Sequence, residues 1–292
     1  MTKRSRGLYY FSLILAGCTL ALLVAGGLVT SHDAGLAVPD WPLSYGQWFP
    51  PMVGNVFWEH GHRMIAGTVG LLTLALAVSI QIWEPRKRLK KMALIALAAV
   101  VIQALLGGLT VVTLLPPPVS IAHAVLAQTF FCLVIALAFF LCPFQAEVSL
   151  ARQAQQVSFR RLMLLTSSWV YLQLVLGATV RHTGYGIIPH VIVAFLVLIH
   201  VLFVVLRSSN FSEDEASFKR LAVILGLLTL VQIFLGFGAF IFTQVLEAGY
   251  SPPKSEVFFT VAHQSTGALI LGLSVLLNLK ISFDQERAGF RK

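Results

Sequence analysis

Charge is what this sequence has least of. Only 11% of its 292 residues are Asp, Glu, Lys or Arg, and the acidic residues number 12 against 21 basic ones. With 57% hydrophobic residues and a mean hydropathy of +0.83, that is too little charge to solvate the surface of a water-soluble domain. Cysteine is scarce as well. Cys18, Cys132 and Cys142 all lie within or at the ends of apolar runs, which excludes a disulfide-stapled outer face and a thiolate metal site. The first apolar stretch, 8–30, has no small-residue cleavage site with a soluble domain behind it, so it reads as a retained helix rather than a signal peptide.

What is present is a series of eight apolar runs, predicted near 8–30, 60–83, 92–114, 119–142, 161–181, 188–206, 221–244 and 259–279. Each approaches the ~20 residues that cross ~30 Å of hydrocarbon as a helix. The fold class expected is therefore an all-α integral membrane protein of eight spans. The net charge of +9 follows this topology. Eighteen of the 21 Lys and Arg residues cluster before the first span and after the second, fourth, sixth and eighth. Basic segments mark the cytoplasmic side, so both termini are expected inside, in the plasma (inner) membrane, and nucleic acid is not an expected partner.

The two halves resemble each other. "GLVTSHDAG" from Gly27 matches "GATVRHTG" from Gly177, and "QALLGGLTVV" from Gln103 matches "QIFLGFGAFI" from Gln232. Spans two and six open at His62 and His190, and spans four and eight at His123 and His263. The order of these matches predicts two pseudo-symmetric four-helix bundles, 1–145 and 161–292, joined by a cytoplasmic linker over 146–160.

An ionisable side chain inside a bilayer must be paired, hydrated or ligated. His62, His123, His190 and His263 all fall in the first turns of even-numbered spans, hence at similar depth, two per bundle. Two inward imidazoles on different helices at one level suit a haem iron held from both faces. A boundary histidine that caps a helix explains any one of them, but four in register ask for a common cause. His60 lies about 200° around the helix from His62 and reads as interfacial. His200 reads as a hydrogen-bonded interior residue, and His32 and His182 as outer-loop residues.

The stretch "WEHGHRMIAG", Trp58 to Gly67, carries the chemistry. Glu59 stands one helical turn before His62 on the same face, over the edge of any porphyrin bound there, where a carboxylate accepts a proton or stabilises positive charge on a ring substituent. Arg63 suits a propionate, with a snorkelling interfacial arginine as the alternative. Ile187 and Val191 stand at the matching positions of the second half, so the first half is expected to hold the chemistry. The long aromatic loop from Ser31 to Trp58 reads as an interfacial belt or as a lid over the first haem pocket, with Asp33 or Asp40 as polar contacts.

On "GGLVTSHDAGLAVPDWPLSYG", on the Glu59, His62, Arg63 signature, on His123, His190 and His263, and on "GATVRHTG", the sequence resembles the heme A synthase family. The resemblance implies an oxidoreductase that oxidises the C8 methyl of heme O to a formyl group, giving heme A for terminal oxidases. It implies substrate iron between His62 and His123 with Glu59 as the essential acid, and a resident heme b on His190 and His263. Heme O synthase, the farnesyltransferase upstream, and oxidase assembly factors are the implied partners in the lipid bilayer. Unlike many bacterial relatives, the first outer loop has no cysteine pair, and Ser31 stands where a basic residue is frequent. Two other classes fit less well. A bis-histidine b-type cytochrome without substrate chemistry leaves Glu59 unexplained, and a transporter lacks broken helices at the midplane.

Overall fold

The computed structural model describes residues 3–143, 153–211, 216–246 and 252–289. Its elements are α1 (Lys3–Ser31), α2 (Asn55–Trp83), α3 (Lys87–Val112), α4 (Pro117–Leu141), α5 (Gln153–Thr183), α6 (Ile187–Ser208), α7 (Ala216–Phe240) and α8 (Lys254–Gly289). A single π turn, Ile241–Val245, closes α7. Among the described residues eight helices, from Arg6–Ser31 to Lys254–Ser282, are long and apolar enough to cross a membrane. This multi-pass, all-α architecture is the one expected from the apolar runs. Helices are the natural solution here because every backbone N–H and C=O is satisfied within the segment. Hydroxyls are hidden in the same way: Thr19, Thr73, Thr166 and Thr229 each donate to the carbonyl one turn earlier.

The chain forms two compact units, residues 1–143 with 234–268, and residues 144–233 with 269–292. The linker expected at 146–160 lies outside the described residues up to 152, and from Gln153 onward the chain is already helical.

In the first unit α1 packs on α2, α2 on α3, α3 on α4 and α4 back on α1, closing a ring in which α2 and α4 stand diagonally. One end of the ring is filled with aliphatic side chains. Leu8, Leu15, Val69, Leu76, Ile80, Leu89, Val100, Val134, Leu137 and Leu141 form a continuous buried cluster there. The turn at that end is fastened by charge. Arg86 donates from its backbone and guanidinium to Glu84, and reaches the Phe140 carbonyl at 3.0 Å, which ties the α2–α3 turn to the end of α4. Within the same unit, the start of α8 lies beside the end of α1: Ser31 and Thr260 hydroxyls are 2.9 Å apart, and Gln264 donates to the Leu23 carbonyl at 3.2 Å.

In the second unit α5 packs on α6. Asn278 donates to the Met163 carbonyl at 3.0 Å and Lys280 to Ser217 at 2.7 Å, while Phe159, Phe211 and Phe218 form an edge-to-face triad.

Candidate functional site

At the other end of the α1–α4 ring the inward positions carry glycine, histidine and glutamine instead of leucine. His62, in the second turn of α2, lies against Gly26 of α1 so closely that a Cβ there would come within 3.3 Å of its Cε1. His123, in the second turn of α4, lies against Gly107 of α3, where the same distance would be 3.0 Å. Two imidazoles thus come from diagonal helices, each backed by a glycine on the neighbouring helix. Gln103, one turn below Gly107, donates its amide N–H to the His123 carbonyl at 3.0 Å, and the same nitrogen lies 3.1 Å and 3.3 Å from the two ring nitrogens. Nδ1 of His62 is buried and has no hydrogen-bond partner among the described residues.

These residues fit a haem. Neutral imidazole is a natural iron ligand, an orphaned buried ring nitrogen calls for a chemical reason, and the glycines make room for planar groups between helices. Among the described residues no cluster of three or more His, Cys, Asp or Glu comes together to hold a bare ion. Two imidazoles suffice for an iron whose remaining ligands are porphyrin nitrogens.

Glu59 sits one turn before His62 and is 3% exposed. One carboxylate oxygen accepts the Val38 N–H at 2.7 Å, and the other is ion-paired with Arg63. Arg63 then turns its other nitrogen to the outer loop, donating at 2.7 Å to the carbonyls of both Asp40 and Leu43. Its fork therefore clamps residues 38–44 down onto α2. His60 joins the clamp through Ser44, 2.8 Å from Nδ1, and at 6% exposure it is a buried residue, not the interfacial one expected from its angle to His62. The reason is the loop itself, which folds over that face of α2. On α3, Gly108 admits the Trp41 indole, whose nearest atom would meet a Cβ at only 2.5 Å.

The loop tip is a two-residue turn. Ser44 and Gln47 exchange backbone hydrogen bonds at 3.0 Å, with Tyr45 and Gly46 at φ 53° and 70° between them. The successive N–H groups of Tyr45 and Gly46 converge on the Asp40 carboxylate at 2.7 Å and 2.8 Å. Asp40, one of the two candidate polar contacts of the lid, anchors its own turn. These bonds, the one from Gly46 foremost, hold its carboxyl below the usual carboxylate range. A lowered folded value means a contribution to loop order that is fully present above the ordinary carboxylate pKa of about 4 and lost as pH falls through the lowered one. Trp41 fluorescence is expected to hold steady down to about pH 4, to change only in stronger acid, and to lose that acid step in Asp40→Asn.

The remaining histidines separate by role. His32 stacks on Trp58 with centroids 4.1 Å apart and bonds the Leu28 carbonyl, at the end of α1. His182 lies within α5 rather than in a loop, and His200 bonds the Leu196 carbonyl at 2.8 Å. In the second unit, His190 lies against Gly177, at 3.1 Å from a Cβ there, and Gln173 places its amide nitrogen 3.2 Å from the ring. In the first, His263 lies against Gly236, where a Cβ would come within 2.7 Å. The glycine backing and the glutamines were not among the residues singled out as site candidates, although "QALLG" and "QIFLG" were visible as repeat markers.

A family model described as cytochrome oxidase assembly protein, COX15-CtaA, matches residues 52–189. The heme A synthase of Bacillus pumilus (strain SAFR-032) is 33% identical over 181 residues, covering 59% of this chain and 58% of that one. That of Exiguobacterium sp. (strain ATCC BAA-1283 / AT1b) is 31% identical over 183 residues, 61% and 58%. That of Symbiobacterium thermophilum is 33% identical over 181 residues, 58% of each chain. The match spans about three fifths of the length of these relatives.

Proposed function

From the match of residues 52–189 to the COX15-CtaA family model and the likeness to heme A synthases, we propose that the chain belongs to this family of cytochrome oxidase assembly proteins and is a heme A synthase, taking heme O between His62 and His123 and oxidising its C8 methyl to a formyl group. The observation that carries this reading is the pair of glycine-backed imidazoles on diagonal helices with a buried carboxylate one turn away. His62 and His123 hold and orient the substrate through its iron. Glu59 takes up a proton from the reacting substituent, or offsets positive charge on it, in a site where the loop keeps water out. Arg63 keeps Glu59 and the loop in place, and it is the candidate for a propionate contact. A substrate this apolar arrives from the bilayer, so the membrane enzyme that makes heme O is the natural donor and oxidase assembly the natural destination.

The resident heme b of this reading falls to His190 and His263 and rests on the sequence register. The plasma (inner) membrane as location, with both termini on the cytoplasmic side, rests on the one-sided distribution of Lys and Arg. The test is chemical. Purified protein supplied with heme O, an electron acceptor and oxygen is expected to yield heme A on chromatography of the extracted haem. Unchanged heme O with haem still bound would favour the bis-histidine cytochrome, which carries electrons and does no substrate chemistry.

A further inference from the structure

A glutamine stands four residues before the backing glycine in three of the four odd-numbered helices: Gln103 before Gly107, Gln173 before Gly177 and Gln232 before Gly236. In α3 and α5 its amide reaches the imidazole that the glycine backs. α1 breaks the pattern. Four residues before Gly26 stands Leu22, which packs against the aliphatic cluster. Nδ1 is buried without a hydrogen-bond partner at both His62 and His190, but at His190 the Gln173 amide lies 3.2 Å from the other ring nitrogen, whereas among the described residues no side chain hydrogen-bonds the His62 ring. Gln264, which comes against that stretch of α1, donates to the Leu23 carbonyl and faces Gly27.

The two imidazoles of one site are therefore unequal. A ligating histidine whose second ring nitrogen donates to a nearby acceptor is better oriented and more basic than one without it. Gln103 has that acceptor in reserve, because its Oε1 is buried without a partner and half a turn of the amide brings it to the ring of His123. His62 has Gly26 against its ring and, among the described residues, no amide within hydrogen-bond reach of it.

We infer that His123, steadied by Gln103 as a positioning residue, is the retained ligand of the first site, and that His62 is the exchangeable one, whose release lets heme O enter and product leave. This rests on the heme A synthase reading above. An enzyme whose substrate is a haem needs a site that grips during reaction and lets go afterwards. One weak ligand opposite a strong one supplies both, and a protein that kept its haem permanently would gain nothing from the asymmetry.

The experiment measures transfer of heme O from the loaded, detergent-solubilised protein to excess apomyoglobin, with the released haem identified by chromatography. Leu22→Gln gives His62 the amide it lacks and is expected to slow transfer about tenfold and lower the midpoint potential of the bound haem. Gln103→Leu, nearly equal in volume, is expected to speed transfer by a similar factor and raise the potential. A merely destabilising substitution speeds release in both variants and does not slow it in either, so opposite signs isolate the ligand effect. Equal transfer rates in wild type and both variants would overturn the assignment while leaving the heme A synthase reading intact. Failure of the wild type to take up heme O at all would overturn that reading, and this inference with it.

Discussion

Glu59→Gln is expected to retain haem and lose heme A formation by a factor of about 100 or more, the scale of a lost acid–base group. The substitution is chosen for what it keeps. A glutamine oxygen still accepts the Val38 N–H, now 2.7 Å from the carboxylate, so the loop stays fastened. What goes is the charge opposite Arg63 and the ability to take a proton. Glu59→Ala does more damage, because it leaves a largely buried guanidinium without its partner, and breaking a buried pair costs about 3–5 kcal/mol. In that variant a loose loop is expected beside the loss of activity, seen as faster proteolysis between residues 34 and 54. Glu59→Gln with full conversion of heme O would remove the carboxylate from the chemistry and leave it a purely structural anchor.

Gly107→Val is expected to weaken heme O binding at the first site at least about tenfold and to turn the ferric complex high-spin, without unfolding the chain. A Cβ at Gly107 would already lie 3.0 Å from the His123 ring, and two methyl groups beyond it displace the imidazole from its place on α4. Overpacking of this kind costs about 1–3 kcal/mol, which an eight-helix protein tolerates. The geometric loss is more severe, since an imidazole proposed to hold the iron would no longer reach it if moved by about an ångström. The measurement is a heme O titration followed by absorbance in wild type and variant, with circular dichroism confirming equal helix content. Normal uptake by the variant would show that His123 does not need its glycine backing.

Much of the fold is legible from hydrophobicity alone. The eight runs map onto eight helices because a segment that crosses lipid singly satisfies its own backbone only as a helix, and the helices run up to ten residues past the expected boundaries where polar ends such as Gln153, Asn55 and Gly289 continue them beyond the apolar core. The π turn at Ile241–Val245 has no such signal. In the site, the histidines announce themselves as ionisable groups in apolar sequence. Their glycine partners do not, because glycine is common in membrane helices and only the fold shows which four lie under a ring. The Glu59–Arg63 pair has the four-residue spacing of helical ion pairs and is readable in principle. The other half of that clamp, from Arg63 to the carbonyls of Asp40 and Leu43, joins backbone atoms more than a dozen residues away and leaves no pattern in the sequence. His60 illustrates the same limit, as its burial depends on where the loop lies and not on its own helix.

The central claim is that His62 and His123 hold the substrate iron from opposite faces, and low-temperature electron paramagnetic resonance of the ferric heme O complex tests it directly. Beyond the signal present before heme O is added, the wild type is expected to gain a low-spin bis-imidazole signal on heme O binding, and His62→Ala and His123→Ala are each expected to gain a high-spin signal instead. The same added low-spin signal in wild type and both variants would contradict it.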